Sequence, residues 1–234
     1  ARAFPEDRIV AEEGTAAGEA RPGARVWYGD PLDGTTNFAH GFPVVCVVLG
    51  CEHRPKGLAA NEDGEMVAGV IYDPLRDEMF TAERGHGAKL NGKPIHVSRT
   101  AKLQEPLIAT GSPSLKRHRN PNVHFYQEIT LRSHGVRRAG SAALDLAYTA
   151  CGRLDGYWEF KLNSWDTAAV GLLVSGSTIF GSTFGAVYVG GGKSNRNLPG
   201  TLFRVNSDGS SFTNLYIFSK VDPNSLTNTD GANP

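Results

Sequence analysis

Cysteine is scarce in this 234-residue chain: Cys46, Cys51 and Cys151 are an odd number without metal-site spacing. That argues against a disulfide framework or a zinc cluster, and their apolar neighbours predict buried, reduced thiols. Such thiols fit a reducing, cytoplasmic compartment. Charge of one sign is also lacking, because 24 Lys and Arg balance 24 Asp and Glu. A neutral chain without a basic, aromatic-interleaved surface has no nucleic-acid footprint and no attraction to an anionic membrane. No apolar run is long enough to span a bilayer, and no basic-then-apolar leader opens the sequence. Glutamate has its own gap, since all twelve lie before residue 160. After about Ser175 the chain turns rich in Gly, Ser, Thr and Asn, and that change of composition marks a boundary.

What is present centres on Asp30-Pro31-Leu32-Asp33-Gly34-Thr35-Thr36, after the strand-like run Arg25–Tyr28. Two carboxylates stand three residues apart with a proline between them, which predicts a turn. Gly34 lets the backbone bend sharply, and two hydroxyls follow. Such a turn aims two hard oxygen ligands, and the Leu32 carbonyl, at one spot, a set that suits Mg²⁺ beside a phosphate. A helix starting near Thr35 would point free N–H groups at the same spot. A bare D-x-x-D-G is equally the pattern of an Asx-turn ahead of a helix cap.

Strand signals surround this stretch. Arg8–Ala11 reads as a strand that ends at Glu12-Glu13-Gly14. Val44–Cys51 is a continuous apolar run and predicts a buried strand, followed by strands over Met66–Tyr72 and Glu78–Ala82. Leu90-Asn91-Gly92-Lys93 predicts a tight hairpin, so residues 44–98 read as an antiparallel meander. Leu107–Thr110 reads as a short strand, and Val123, Tyr126 and Ile129 recur at helical spacing. Lys116-Arg117-His118-Arg119 is a basic cluster, read as a solvated loop or helix start with phosphate binding as the alternative. Gly140-Ser141 predicts a helix with Ser141 as its cap, Leu144, Tyr148 and Cys151 on one face, and Gly152 as its stop. Asp155–Glu159 reads as a strand end and loop, and Ser164-Trp165-Asp166 opens an apolar helix whose dipole an early aspartate would favour.

Asp30–Phe38, DPLDGTTNF, with His40-Gly41-Phe42-Pro43 behind it, resembles the signature of the inositol monophosphatase family. Gly140–Ala142 and Trp165-Asp166 resemble two further stretches of it, and the likeness covers roughly residues 4–170. It implies an α/β fold, an αβαβα layered sandwich. It implies Mg²⁺ held by Glu12, Asp30, the Leu32 carbonyl, Asp33 and Asp166, with Glu13 a weaker candidate. Glu12, Asp30, Asp33 and Thr35 would be catalytic, Thr35 orienting the attacking water. Asp33, Gly34, Thr35, Thr36, Gly140, Ser141, Ala142, Glu159 and Asp166 would hold the substrate. Four converging carboxylates repel one another unless cations bind among them, and those cations favour a phosphate ester over a neutral substrate.

The implied activity is Mg²⁺-dependent hydrolysis of a phosphomonoester, inositol 1-phosphate first, with related sugar or histidinol phosphates as alternatives. The partner is a small phosphate ester, and the family often forms homodimers. The family also carries a helical pair ahead of Arg8, with an aspartate that partners the Thr35 hydroxyl, and the expectation is that this chain lacks them. Residues 1–174 are read as a partial phosphatase domain and 175–234 as a β-rich tail. Thr178–Gly181, Gly200–Gly209 and Asn228–Pro234 resemble a bacterial extracellular β-repeat of the propeller-building kind. One such unit has no neighbours to bury its core against, and the join at 170–175 falls inside a helix. A catalytically silent fragment, or a binding module seated in the tail, is therefore the competing reading.

Overall fold

The computed structural model describes residues 6–12, 14, 23–57, 64–100, 104–111, 122–159, 162, 169 and 173, and the backbone of strands at 178–182, 201–206 and 213–217. The chain divides into two units. The first comprises Ala1–His96, Gly140–Ala147 and Asn163–Ser175; the second comprises Val97–Ala139, Tyr148–Leu162 and Gly176–Pro234.

The first unit is built on one seven-stranded sheet in sequential order: β1 (Arg8–Ala11), β2 (Arg25–Asp33), β3 (Cys46–His53), β4 (Glu65–Asp73), β5 (Glu78–Glu83), β6 (Gly87–Leu90) and β7 (Lys93–Pro94). From β2 onward every pairing is antiparallel, as expected for a meander, while β1 joins β2 in parallel. Asn91 at φ 47° and Gly92 at φ 77° make the β6–β7 turn, the positive pair that the Asn-Gly dipeptide supplies.

Two expectations need correction here. The strand expected to give way to a turn at Asp30 continues: β2 runs through Pro31 to Asp33, and the turn lies inside it. The run read as buried at Val44–Cys51 alternates from Cys46 to Gly50 and is buried again at Cys51. Cys46, Val48 and Gly50 are buried, whereas Val47 and Leu49 are each 43% exposed. Alternation, not continuity, is what an antiparallel strand with one packed face requires. Ile71 and Phe80, both at 0% exposure, anchor the covered face, each worth about 1.5–3 kcal/mol of burial. Gly69 on β4 leaves room for the buried Ala169, because a Cβ there would fall on the Ala169 backbone. A small five-residue helix, α1 (Thr35–Ala39), follows β2.

The second unit carries a parallel sheet in the order β10-β8-β9, from β8 (Leu107–Thr110), β9 (Gly135–Arg137) and β10 (Gly156–Trp158). Parallel neighbours need crossover connections, and helices α2 (Asn122–Thr130) and α3 (Ala142–Ala150) lie between these strands in sequence. The helical spacing of Val123, Tyr126 and Ile129 is met by α2, but of these three only Ile129 is buried. Phe125 and Ile129 are buried with Asn122, while Val123 is 66% and Tyr126 41% exposed. Asn122 turns inward because its carboxamide is fully used. Its Nδ2 donates to Thr110 Oγ1 at 2.9 Å and to Gly111 O, and its Oδ1 accepts from Trp158 Nε1. A buried amide so satisfied outweighs two apolar residues that could face inward only by displacing it.

Ser141 caps helix α3, as read, and Gly152 at φ 77° follows its end. Its buried face is Ala143, Leu144, Ala147 and Ala150, so Tyr148 and Cys151 are only half-buried. All three cysteines are free, but Cys151 is less buried than expected. Strands β11 (Thr178–Ser182), β12 (Thr201–Asn206) and β13 (Thr213–Ile217) pair antiparallel in that order. The Asp208-Gly209 turn read between the last two lies outside the described residues, as does Asp230. Among the described residues no helix is long and apolar enough to cross a membrane.

Candidate active site

The site is assembled where two neighbouring strands end together. β1 and β2 are parallel with Ala11 opposite Gly29, and Glu12 N–H donates to Gly29 O at 3.3 Å. Glu12 therefore leaves β1 level with Asp30 on β2, exposed where Asp30 is 2% exposed. The β2–β3 register then slips. Asp30 pairs Val48 and Asp33 pairs Cys46, three steps on one strand against two on the other. This is a β-bulge, and it explains how Pro31, which has no N–H to donate, fits inside a strand. The Leu32 N–H turns back to Asp30 Oδ1 at 2.8 Å, an Asx-turn inside the bulge. Both readings of D-x-x-D thus describe one geometry: the Asx-turn bends the strand end so that both carboxylates sit on the same short segment.

Asp33 is held by three neutral donors, all on Oδ2. Ser141 Oγ donates at 2.6 Å, Ala143 N–H at 2.9 Å and the Cys46 thiol at 3.7 Å. Ser141 Oγ also accepts the Leu144 N–H at 3.3 Å, so one hydroxyl caps α3 and ties that cap to Asp33. Burial pushes the Cys46 thiol well above its ordinary range, and the Asp33 charge adds to the shift, so this group stays a neutral donor. Sequence reasoning gave Cys46 no such place. Only its register opposite Asp33 reveals it.

Gly34 has φ 90°, and a Cβ there would stand 2.7 Å from Val44 O, so both conformation and space require glycine. It precedes α1 without a side-chain capping bond, and Thr35 and Thr36 are exposed in the first turn. Gly140, at φ 85°, precedes the Ser141 cap, with Ala142 opening α3 behind it.

The remaining expected residues fall elsewhere. Glu159 belongs to the second unit, where Tyr157 OH donates to its Oε2 and a Cβ at Gly111 would fall on its carboxylate. Asp166, Glu13 and the Lys116–Arg119 cluster lie outside the described residues. Among the described residues no three of His, Cys, Asp and Glu stand as a metal-holding group. The structure thus brings Asp30, Asp33, Gly34, Thr35, Thr36, Gly140, Ser141 and Ala142 into one unit with Glu12, without closing a metal shell from those residues alone.

Comparison with known proteins agrees with this architecture. Residues 1–178 match the Inositol monophosphatase family profile. The Inositol-1-monophosphatase of Mesorhizobium japonicum is 43% identical over 167 residues, covering 71% of this chain and 59% of the relative. The Nus factor SuhB of Pseudomonas aeruginosa is 41% identical over 178 residues, covering 74% of this chain and 62% of the relative. The chain therefore spans about three-fifths of the length of these curated relatives. The solved inositol monophosphatase of an Anabaena (Nostoc) species superposes with a TM-score of 0.69 at 40% identity, covering 79% of this chain and 70% of that one. The family match runs past the join expected at 170–175, and beyond residue 178 the β-repeat resemblance rests on the sequence alone.

Proposed function

The chain belongs to the inositol monophosphatase family, and from that premise we propose that it hydrolyses a phosphomonoester, inositol 1-phosphate first, with Mg²⁺ as cofactor. The observation that carries this reading is the bulge on β2, which sets Asp30, the Leu32 carbonyl and Asp33 on one strand end. The described partners of Asp33 are all neutral donors, and all three contacts fall on Oδ2. Such a carboxylate fits a hard cation. In this reading Asp30, Asp33 and the Leu32 carbonyl hold the metal, with Glu12 and Asp166 completing its shell. Mg²⁺ bound there supplies the chemistry of lowering the pKa of a water and neutralising charge on the phosphate and leaving oxygens.

The chain's own groups then position the reactants. The Thr35 hydroxyl orients the attacking water. Gly34 and Thr36 offer backbone to the phosphate, and Gly140, Ser141 and Ala142 offer backbone to the substrate's hydroxyls. Asp33, Glu159 and Asp166 accept hydrogen bonds from those hydroxyls. Residues 1–174 carry the chemistry, residues 175–234 form a separate β-rich segment, and a cytoplasmic homodimer belongs to the same reading.

Phosphate release from inositol 1-phosphate, measured with Mg²⁺, with EDTA and with Asp33→Asn, tests it. Release that needs Mg²⁺ and vanishes in the variant supports the proposal. A folded chain that melts higher with Mg²⁺ yet releases nothing would refute it. That result would favour a second reading, motivated by the similarly close relative named a Nus factor, in which the family fold serves a role other than hydrolysis.

A further inference from the structure

Asn37 lies inside the Asp30–Phe38 run, yet the proposed chemistry gives it no task. Its carboxamide is nonetheless confined on several sides. Nδ2 donates to Val44 O at 2.8 Å. Its backbone carbonyl accepts the N–H groups of His40 at 3.1 Å and Phe42 at 2.8 Å, which fastens the whole loop from Thr36 to Val44 around it. A Cβ placed on Gly34 would stand 3.5 Å from Asn37 Nδ2, and one placed on Gly140 would stand 3.0 Å from Oδ1 and 3.1 Å from Nδ2. One planar amide is therefore packed between two glycines. Both glycines are in the left-handed region, at φ 90° and 85°, and each lies ahead of a helix whose first residues are assigned to the substrate.

We propose that Asn37 is a positioning residue that fixes the spacing between the Gly34–Thr36 backbone and the Gly140–Ala142 backbone. The substrate half of this inference rests on the hydrolytic reading above. The chemistry of the side chain supports it. A leucine would fill the volume but leave Val44 O without its donor. An aspartate would set a carboxylate against that same carbonyl. The Ser141–Asp33 bond ties the two segments at a second point. With Asn37 shortened, the Gly140–Ala142 backbone would keep that tie and lose its spacer.

The test uses the full chain with Asn37→Ala and Asn37→Asp. Amide exchange at Ser141, Ala142 and Ala143 is expected to quicken about tenfold, while Ile71 and Phe80 keep their protection. The KM for inositol 1-phosphate is expected to rise about five- to tenfold with kcat within about twofold, because grip on substrate and transition state is lost alike. The Mg²⁺-induced rise in Tm should be unchanged. Unaltered exchange at 141–143, or faster exchange throughout β3–β5, would overturn the inference, as would a fall in kcat at constant KM. A wild-type chain that releases no phosphate would sink the hydrolytic reading on its own evidence. The exchange at 141–143 would then still decide whether Asn37 spaces the two segments.

Discussion

Ser141 Oγ donates a 2.6 Å hydrogen bond to Asp33 Oδ2 across 108 residues of sequence. This bond joins the start of α3 to the end of β2, the two segments to which the proposed chemistry is assigned. The same hydroxyl caps α3 through Leu144 N–H. Its loss is felt twice, once by the helix and once by the carboxylate.

Ser141→Ala is therefore expected to destabilise the fold by about 2–3 kcal/mol, more than a simple cap, because a charge-assisted bond goes with it. Ser141→Thr keeps the oxygen and should recover most of the loss. Urea unfolding of the three proteins measures this, and equal midpoints for wild type and alanine would contradict it.

Gly34→Ala combines two costs, a left-handed φ of 90° and a 2.7 Å approach to Val44 O. A loss of about 2–4 kcal/mol is expected, since strain and a backbone clash add. Gly41, also at positive φ, has nothing within 4 Å of an added Cβ, so Gly41→Ala should cost only the conformational part. Thermal melts of the pair separate the two terms.

Asp33→Asn should abolish the Mg²⁺-induced rise in Tm and lower phosphate release at least about 100-fold, because even partners of metal ligands cost 10–100-fold. EDTA should bring the wild type to the same level. Calorimetric titration with Mg²⁺ supplies a readout independent of turnover.

Asn122→Leu keeps volume but strands Trp158 Nε1 and removes the donor to Thr110 and Gly111. A cost of about 2–4 kcal/mol is expected from buried groups left unpaired. Tyr126→Ser, on the exposed side of the same helix, should change stability by less than about 0.5 kcal/mol. Comparable losses at both positions would show that the inner face is wrongly assigned.

Burial raises the Cys51 thiol pKa above its ordinary 9.0, with Arg25 opposing the shift and Asp7 and Glu52 adding to it. The folded chain thus holds this proton to higher pH than the unfolded chain. The stability it contributes is complete below the ordinary thiol pKa and is lost as pH rises above it, at no more than about 1.4 kcal/mol per pH unit. Unfolding midpoints should fall as the pH rises above 9, and Cys51→Ala should fall less steeply.

Local chemistry in the sequence determined much of this protein. The Asn91-Gly92 turn, the strands at 8–11, 65–73, 78–83 and 107–110, the Ser141 cap and the Gly34 bend each follow from residues adjacent in the chain. The Asp30–Phe38 run by itself carries the resemblance to the family. The tertiary structure decided what depends on a partner strand or a distant segment. Pro31 stays within β2 because β3 offers two steps against three. Asn122 faces inward because Thr110, Gly111 and Trp158 meet its amide there. Asp33 meets Cys46 through register and Ser141 through the return of α3. Turns and caps are set by a few neighbouring torsions and hydrogen bonds. Registers and inward faces are set by which distant groups satisfy one another, and no stretch of sequence read alone contains both partners.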